Sequence, residues 1–223
     1  MVLYLLYELN KLWKNIMSIK IRNANVEDAP FLAQMILKSS RAGKKDGMFD
    51  IVFEMNDDKI ILDKLEKLTQ TKAKSYCHYS NFLIAELDGK SVGSLCSYEP
   101  RISTKDQFAL ALEEVGCTDK VNDRLEVFYS CQFDLNKRTL MFDFMEELDG
   151  FMDVGVLKTL MQKSLLTARL KGYRIAQTII EIGSLEVELF YKKLGFKIAK
   201  QQECESYQEK FGRLGLMLLE IEF

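Results

Sequence analysis

Apolar and polar positions follow two periods along this chain, and the switches between them mark out most of its elements. Ile19 to Arg22 alternates apolar and charged residues, as a first strand would. Asn25-Val-Glu-Asp28 then reads as a capping segment, and Pro30 suits the first turn of a helix from about Ala29 to Lys38. Arg41 to Asp50, with Gly43 and Gly47, reads as a mobile connector before a helical stretch near Lys59 to Leu68. Phe82 to Glu86 and Ser91 to Tyr98 flank Leu87-Asp88-Gly89-Lys90, a hairpin with a DG turn. Lys105 to Val115 is a helix that stops at Gly116. Leu140 to Leu148 is a strand, followed by a turn and a long helix. Phe196 to Cys204 and Leu214 to Phe223 are two further strands, expected to pair antiparallel across a polar connector.

The organising stretch is Leu170 to Phe196, LKGYRIAQTIIEIGSLEVELFYKKLGF. Lys171-Gly172 gives the long helix a cationic last turn and a residue tolerant of positive φ. Ile175 to Ile182 has too few polar positions for a half-solvated strand, so it should be covered on both sides. Ser184 is placed to cap a short helix, with Glu186 and Glu188 in its first turn. Leu185, Leu189 and Leu194 give that helix an apolar stripe, and Gly195 ends it.

FYKKLGF, residues 190 to 196, resembles the "fYeklGF" segment of the GNAT family of acyl-CoA-dependent N-acetyltransferases. IKIRNANVEDAPFLAQMI is similar to the opening strand and helix of the same family. The resemblance covers roughly residues 17 to 98 and 139 to 223. It implies a mixed α/β fold, with a mostly antiparallel central sheet flanked by helices and an insertion at about 99–138 between the third and fourth strands. Residues 17–223 are then one domain. The insertion is either a lid over the acceptor pocket, with Tyr129 or Phe133 on the substrate, or a packed surface subdomain whose aromatics are core.

Residues 1–16 place Val2, Leu5, Leu6, Leu9, Leu12, Trp13 and Ile16 on one helical face. They read as a docking or dimerisation helix, or as an extended start before Met17. The segment is too short and too interrupted by charge to cross a bilayer.

Composition narrows the function classes. The chain has 223 residues, 48% of them hydrophobic and 29% charged, which suits a globular domain. Lys and Arg number 31 against 33 Asp and Glu, so no strong field favours a nucleic acid or a membrane surface. The five cysteines are widely spaced without a CxxC pair, and His78 is the one histidine, so neither a disulfide framework nor a metal site is expected. Reduced thiols point to a cytoplasmic location.

The resemblance also implies a site. Between Leu148 and the long helix, such enzymes carry an R/Q-x-x-G-x-G/A turn whose backbone amides hold the pyrophosphate of acetyl-CoA. Here Met152 stands at the Arg/Gln position, Gly155 at the first glycine and Leu157 at the second small position. Asp153 adds a negative charge beside it. The amides of Val154, Gly155, Val156 and Leu157 remain as anion ligands, with Leu148 and Ser184 flanking the cofactor; alternatively the segment is only a strand-to-helix turn.

For the chemistry, Tyr191 is placed either to protonate a departing thiolate or to anchor the sheet. The resemblance implies that a backbone amide around Met145 to Leu148 polarises the carbonyl. Among the strand carboxylates, strict alternation puts Asp143 and Glu147 on one face and Glu146 on the other. Asp143, which falls where the resemblance implies a strand-four Glu, is the choice for general base. The expected function is acetyl transfer from acetyl-CoA, without a metal, to a primary amine of a small molecule or to a protein amino group. The alternative is a catalytically silent module of the same fold that binds a ligand or protein.

Overall fold

The computed structural model describes residues 19–118, 120–135, 138–151 and 154–223. The expected helix over residues 1–16 and the expected roles of Met152 and Asp153 lie outside the described residues.

Seven strands form one sheet: β1 (Lys20–Asn23), β2 (Phe82–Leu87), β3 (Lys90–Tyr98), β4 (Leu140–Glu147), β5 (Ile175–Glu181), β6 (Lys197–Glu203) and β7 (Gly215–Glu222). Their order is β1-β2-β3-β4-β5-β7-β6. Neighbours are antiparallel except β4 and β5, which run parallel. That parallel pair needs a crossover, and the long helix α6 (Val156–Leu170) supplies it. The β2–β3 turn has positive φ at both Asp88 and Gly89, the requirement of a type I′ hairpin. The connector between β6 and β7 is not merely polar, since Glu205–Phe211 within it forms helix α8.

The sheet separates two cores. On one face lie α1 (Ala29–Arg41), α2 (Met48–Phe53), α3 (Asp58–Leu68), α4 (Lys105–Glu114), α5 (Val121–Tyr129) and α8. They bury Leu32, Phe49, Leu65, Phe108 and Tyr207 with Phe82, Cys96 and Phe144 of the strands. The expected connector over 41–50 is thus partly helical. Arg41 fixes it through a two-oxygen contact with the buried Asp50, at 2.6 and 3.1 Å.

On the other face α6 and α7 (Leu185–Lys193) cover Leu95, Phe142, Ala176 and Leu219. Helix α6 buries Val156, Leu160, Met161, Ser164 and Ala168, one stripe at helical spacing. The stripe expected for α7 is corrected at Leu185 and Leu189, whereas Leu194, at its end, packs against this core. Leu185 is 68% exposed and Leu189 54%, while Tyr191 is the buried side chain. Tyr191, with Phe190 and Leu194 packed partly beside it, sets the rotation of so short a helix, and total hydrophobicity does not.

Gly93 shows how closely α6 packs on β3. A Cβ there would stand 2.6 Å from Val156 Cγ1 and 3.0 Å from the Glu146 carbonyl oxygen. Gly93→Ala should therefore cost about 1–3 kcal/mol through overpacking, read as a lower denaturation midpoint with an unchanged m-value. An unchanged midpoint would show that α6 can move away freely.

Candidate active site

The site grows out of an irregularity in β4. Along the β3–β4 ladder Ser94 pairs with Glu146 and Cys96 with Asp143, so three steps on β4 oppose two on β3. This is a β-bulge. Phe144 takes up the extra residue with φ +42°, a value rare for a side chain of its size. Its ring packs against Phe49 at 6.1 Å, Tyr76 at 6.0 Å and Phe82 at 6.4 Å between centroids. Burial of the ring holds the strained backbone in place. Phe144→Ala should cost about 3–5 kcal/mol, measured by denaturant unfolding; a loss below about 1 kcal/mol would mean that relief of backbone strain nearly cancels the lost packing.

The bulge corrects the expected parity of the carboxylates. Asp143 and Glu146 face the same side, opposite Cys96 and Ser94, while Glu147 pairs with Gly93 toward α6. An inserted residue reverses alternation beyond it, so Glu146 and Glu147 exchange faces.

The same bulge bends β4 away from β5. Pairing between the two strands covers Leu140 to Phe142 against Ala176 to Thr178 and then stops. Past that point the strands diverge, and the next residue on β4 is Asp143. Thr178 Oγ1, at the vertex, donates to the Tyr191 hydroxyl at 3.5 Å. Tyr191 belongs to the core under α6 and α7, whereas Asp143 stands on the other face with Cys96 and Phe144. The two expected catalytic residues thus meet at one vertex from opposite faces of the sheet.

Their protonation suits opposite tasks. Burial raises the Asp143 carboxyl to about 6, against a partly offsetting hydrogen bond from the Phe144 N–H to Oδ1 at 2.8 Å. Among the described residues no Lys or Arg forms an ion pair with it. Tyr76 and Tyr98 stand beside it, their rings 5.4 Å apart, and burial keeps both phenols protonated. Burial also raises Tyr191 to about 12, with the Asp143 charge adding to the rise and the Thr178 hydrogen bond opposing it. Because Thr178 is the donor in that contact, the Tyr191 proton is free to point elsewhere.

The expected anion site is at the start of α6. Gly155 is the N-cap, with φ +83°, and no side chain caps the helix. Thr159 N–H donates to the Gly155 carbonyl at 3.0 Å. Among the described residues, the N–H groups of Val156, Leu157 and Lys158 have no protein acceptor, as the first turn of an uncapped helix requires. The Val154 N–H is already bonded to the Phe151 carbonyl at 3.0 Å, so of the expected anion ligands it is the one whose amide is spent.

Lys38 of α1 fastens the incoming end of this turn, donating to the Glu147 carbonyl at 2.7 Å and to Asp149 Oδ1 at 2.8 Å. In the stretch expected to polarise a carbonyl, the Leu148 N–H is held by the Val92 carbonyl at 2.8 Å and the Glu147 N–H by Glu146 Oε1 at 3.0 Å. Glu146 pairs with Ser94, two steps along the ladder from the bonded Leu148–Val92 pair, so its amide is committed to β3, and Met145, which has no partner on β3, remains. Ser184 occupies the N-cap of α7 as expected, but its hydroxyl makes no cap bond. Its φ of −80° and ψ of 68° lie outside the extended conformation that aims such a side chain at the helix.

Two surface hollows lie elsewhere. One of about 330 Å³ is lined by Lys197, Ile198, Glu220 and Glu222, and one of about 420 Å³ by Pro30, Gln34, Lys59 and Glu66; neither reaches the vertex. Among the described residues no group of three His, Cys, Asp or Glu side chains is placed to hold a metal ion. No described helix is long and apolar enough to cross a membrane.

Sequence reasoning missed Lys38, Thr178 and the bulge at Phe144. Nothing in the local pattern marks any of them, since each acts through a contact distant in sequence.

No protein-family model matches the sequence, and no curated protein is similar to it. Solved structures are similar in fold. An N-acetyltransferase from Staphylococcus aureus Mu50 superposes with a TM-score of 0.69 at 17% identity, covering 91% of this chain and 100% of that one. A GCN5-related N-acetyltransferase from Kribbella flavida gives 0.56 at 16% identity, over 92% and 98%. The PaiA N-acetyltransferase from Thermoplasma acidophilum, solved in complex with coenzyme A, gives 0.53 at 15% identity, over 93% and 100%. The chain has the GNAT fold.

Proposed function

We propose that this chain, built on the GNAT fold, is an acyl-CoA-dependent N-acetyltransferase that acts on a primary amine of a small molecule or protein. The observation that carries this reading is the vertex itself. A base that can lose its proton near neutral pH and a phenol that keeps its own flank a strand gap from opposite faces.

Acetyl-CoA supplies the acetyl thioester. The residues that would hold it are Gly155, Val156 and Leu157, whose amides at the start of α6 suit a phosphate. Leu157 and the absence of an Arg or Gln at position 152 weaken the grip without removing those amides. Leu148 and Ser184 border the same side, the first through its place at the end of β4 and the second at the start of α7.

The amine reaches Asp143 from the face of Tyr76 and Tyr98. Asp143 takes its proton directly or through water, and a carboxyl near 6 suits that transfer at neutral pH. The amide of Met145, unpaired at the bulge, polarises the carbonyl oxygen. Tyr191 gives its proton to the departing sulfur, and the buried phenol, near 12, is fully protonated at the working pH.

A thiol-release assay with acetyl-CoA and a panel of primary amines tests this function. Amine-dependent release is expected. Failure of every amine in the panel to elicit release, together with intact CoA binding, would favour the silent binding module.

A further inference from the structure

The strongest chemistry outside the vertex is a pair of thiols between the inserted segment and the β6–β7 connector. Cys131 follows α5 and is buried, and Cys204 is the N-cap residue of α8 and the one cysteine of the five that is not fully buried. The two thiols belong to one cluster of side-chain contacts that joins these segments. Contacts on both sides hold them in that position. Ser130 Oγ lies 3.4 Å from Ser206 Oγ, Gln202 Nε2 donates to the Ser130 carbonyl at 3.4 Å, and the Cys131 thiol is 3.9 Å from the Gln202 carbonyl.

We propose that Cys131 and Cys204 form an oxidant-responsive site, in which a low-molecular-weight disulfide such as oxidised glutathione converts them to a bond between the insertion and the β6–β7 connector.

The two thiols differ as attacking and resolving groups should. Burial disfavours the Cys204 thiolate, but the neighbouring Cys131 and the Ser206 hydroxyl, 3.7 Å from its sulfur, outweigh it and hold this thiol below its ordinary value. Burial, with Cys204 adding to the effect, pushes Cys131 up to about 12. The Cys204 thiolate therefore attacks a sulfur of the small disulfide, forming a mixed disulfide and releasing one thiolate. Cys131 then gives its proton to water or to that thiolate and attacks the Cys204 sulfur, expelling the second. Two protein thiols are oxidised and one small disulfide is reduced to two thiols.

The bond would act where, among the described residues, contacts made by side chains join the two segments. Phe128 of α5 and Phe211 of α8 pack with ring centroids 5.1 Å apart, and Tyr207 of α8 donates to Glu181 at the end of β5 at 2.9 Å. A covalent tie between these segments fixes the cover over that edge of the site face. It also closes a long loop, which raises stability by restricting the unfolded chain.

The test incubates the full chain with oxidised glutathione and maps its peptides without reduction. The expected result is a peptide pair joined through Cys131 and Cys204, two hydrogens lighter than the separate peptides, and a Tm several degrees higher. Dithiothreitol should reverse both, and Cys204→Ser, at the less buried position, should abolish both. Glutathione left on Cys204 beside a reduced Cys131, a bond to another cysteine, or no oxidation of either thiol would overturn the proposal. A Cys131–Cys204 bond without a rise in Tm would overturn the claim that it fastens the two segments.

Discussion

Asp143→Asn is expected to lower turnover about 10²–10⁴-fold, the range of a lost general base, with acetyl-CoA affinity unchanged. The same substitution should stabilise the protein at neutral pH. In the folded chain burial raises the carboxyl to about 6, above the roughly 3.9 of an unfolded Asp. Between those values the folded state binds more protons than the unfolded one, so stability falls as pH rises through that window. The folded chain holds this proton about a hundredfold more tightly than the unfolded chain does, and each factor of ten is worth about 1.36 kcal/mol. The ionised carboxylate therefore costs on the order of 2–3 kcal/mol at about pH 7. Asparagine removes that dependence. Thermal unfolding from about pH 4 to about pH 8, a range that brackets the window, should show a falling Tm in the parent and a flatter profile in the variant. Turnover in the parent should decline below about pH 6. Unchanged turnover in Asp143→Asn would remove Asp143 as the base.

Tyr191→Phe is the second large effect and separates chemistry from packing. The ring stays, with its edge contacts to Phe190 at 5.5 Å and Phe196 at 5.1 Å. Only one long hydrogen bond from Thr178 is lost, so the stability cost should be about 1 kcal/mol or less. Turnover should nevertheless fall about 10²-fold or more, the usual contribution of a positioned acid. Since the phenol is protonated throughout the working range, the loss should be uniform with pH, unlike that of Asp143. Parent-like turnover would leave Tyr191 as a sheet anchor alone.

The parts of the fold that depend on local pattern are legible in the sequence. The DG hairpin, the helix that ends at Gly116 and the β-branched run of β5 each declare themselves through period and turn residues. Tyr191 and Asp143 are legible as residue types at matching positions. Their relation is not, because it depends on a bulge at Phe144 that reverses the parity of Glu146 and Glu147. The seating of that bulge comes from Phe49, Tyr76 and Phe82, which lie far from it in sequence. Ser184 shows the converse limit. Its residue type predicts a cap, but the backbone at that position turns the hydroxyl away. The outward side of α7 is hidden for a related reason, since a leucine count does not fix the rotation of a short helix.

The central claim is that the start of α6 still receives an acyl-CoA although Leu157 replaces a small residue. Calorimetric titration with acetyl-CoA at low and moderate salt tests it directly, with Leu157→Gly as the companion. Saturable binding in the micromolar range, about 8 kcal/mol, and weaker binding at higher salt are the predicted results. Absence of binding by the native chain, with recovery in Leu157→Gly, would contradict the account: it would show a cleft of the right fold that this sequence has closed.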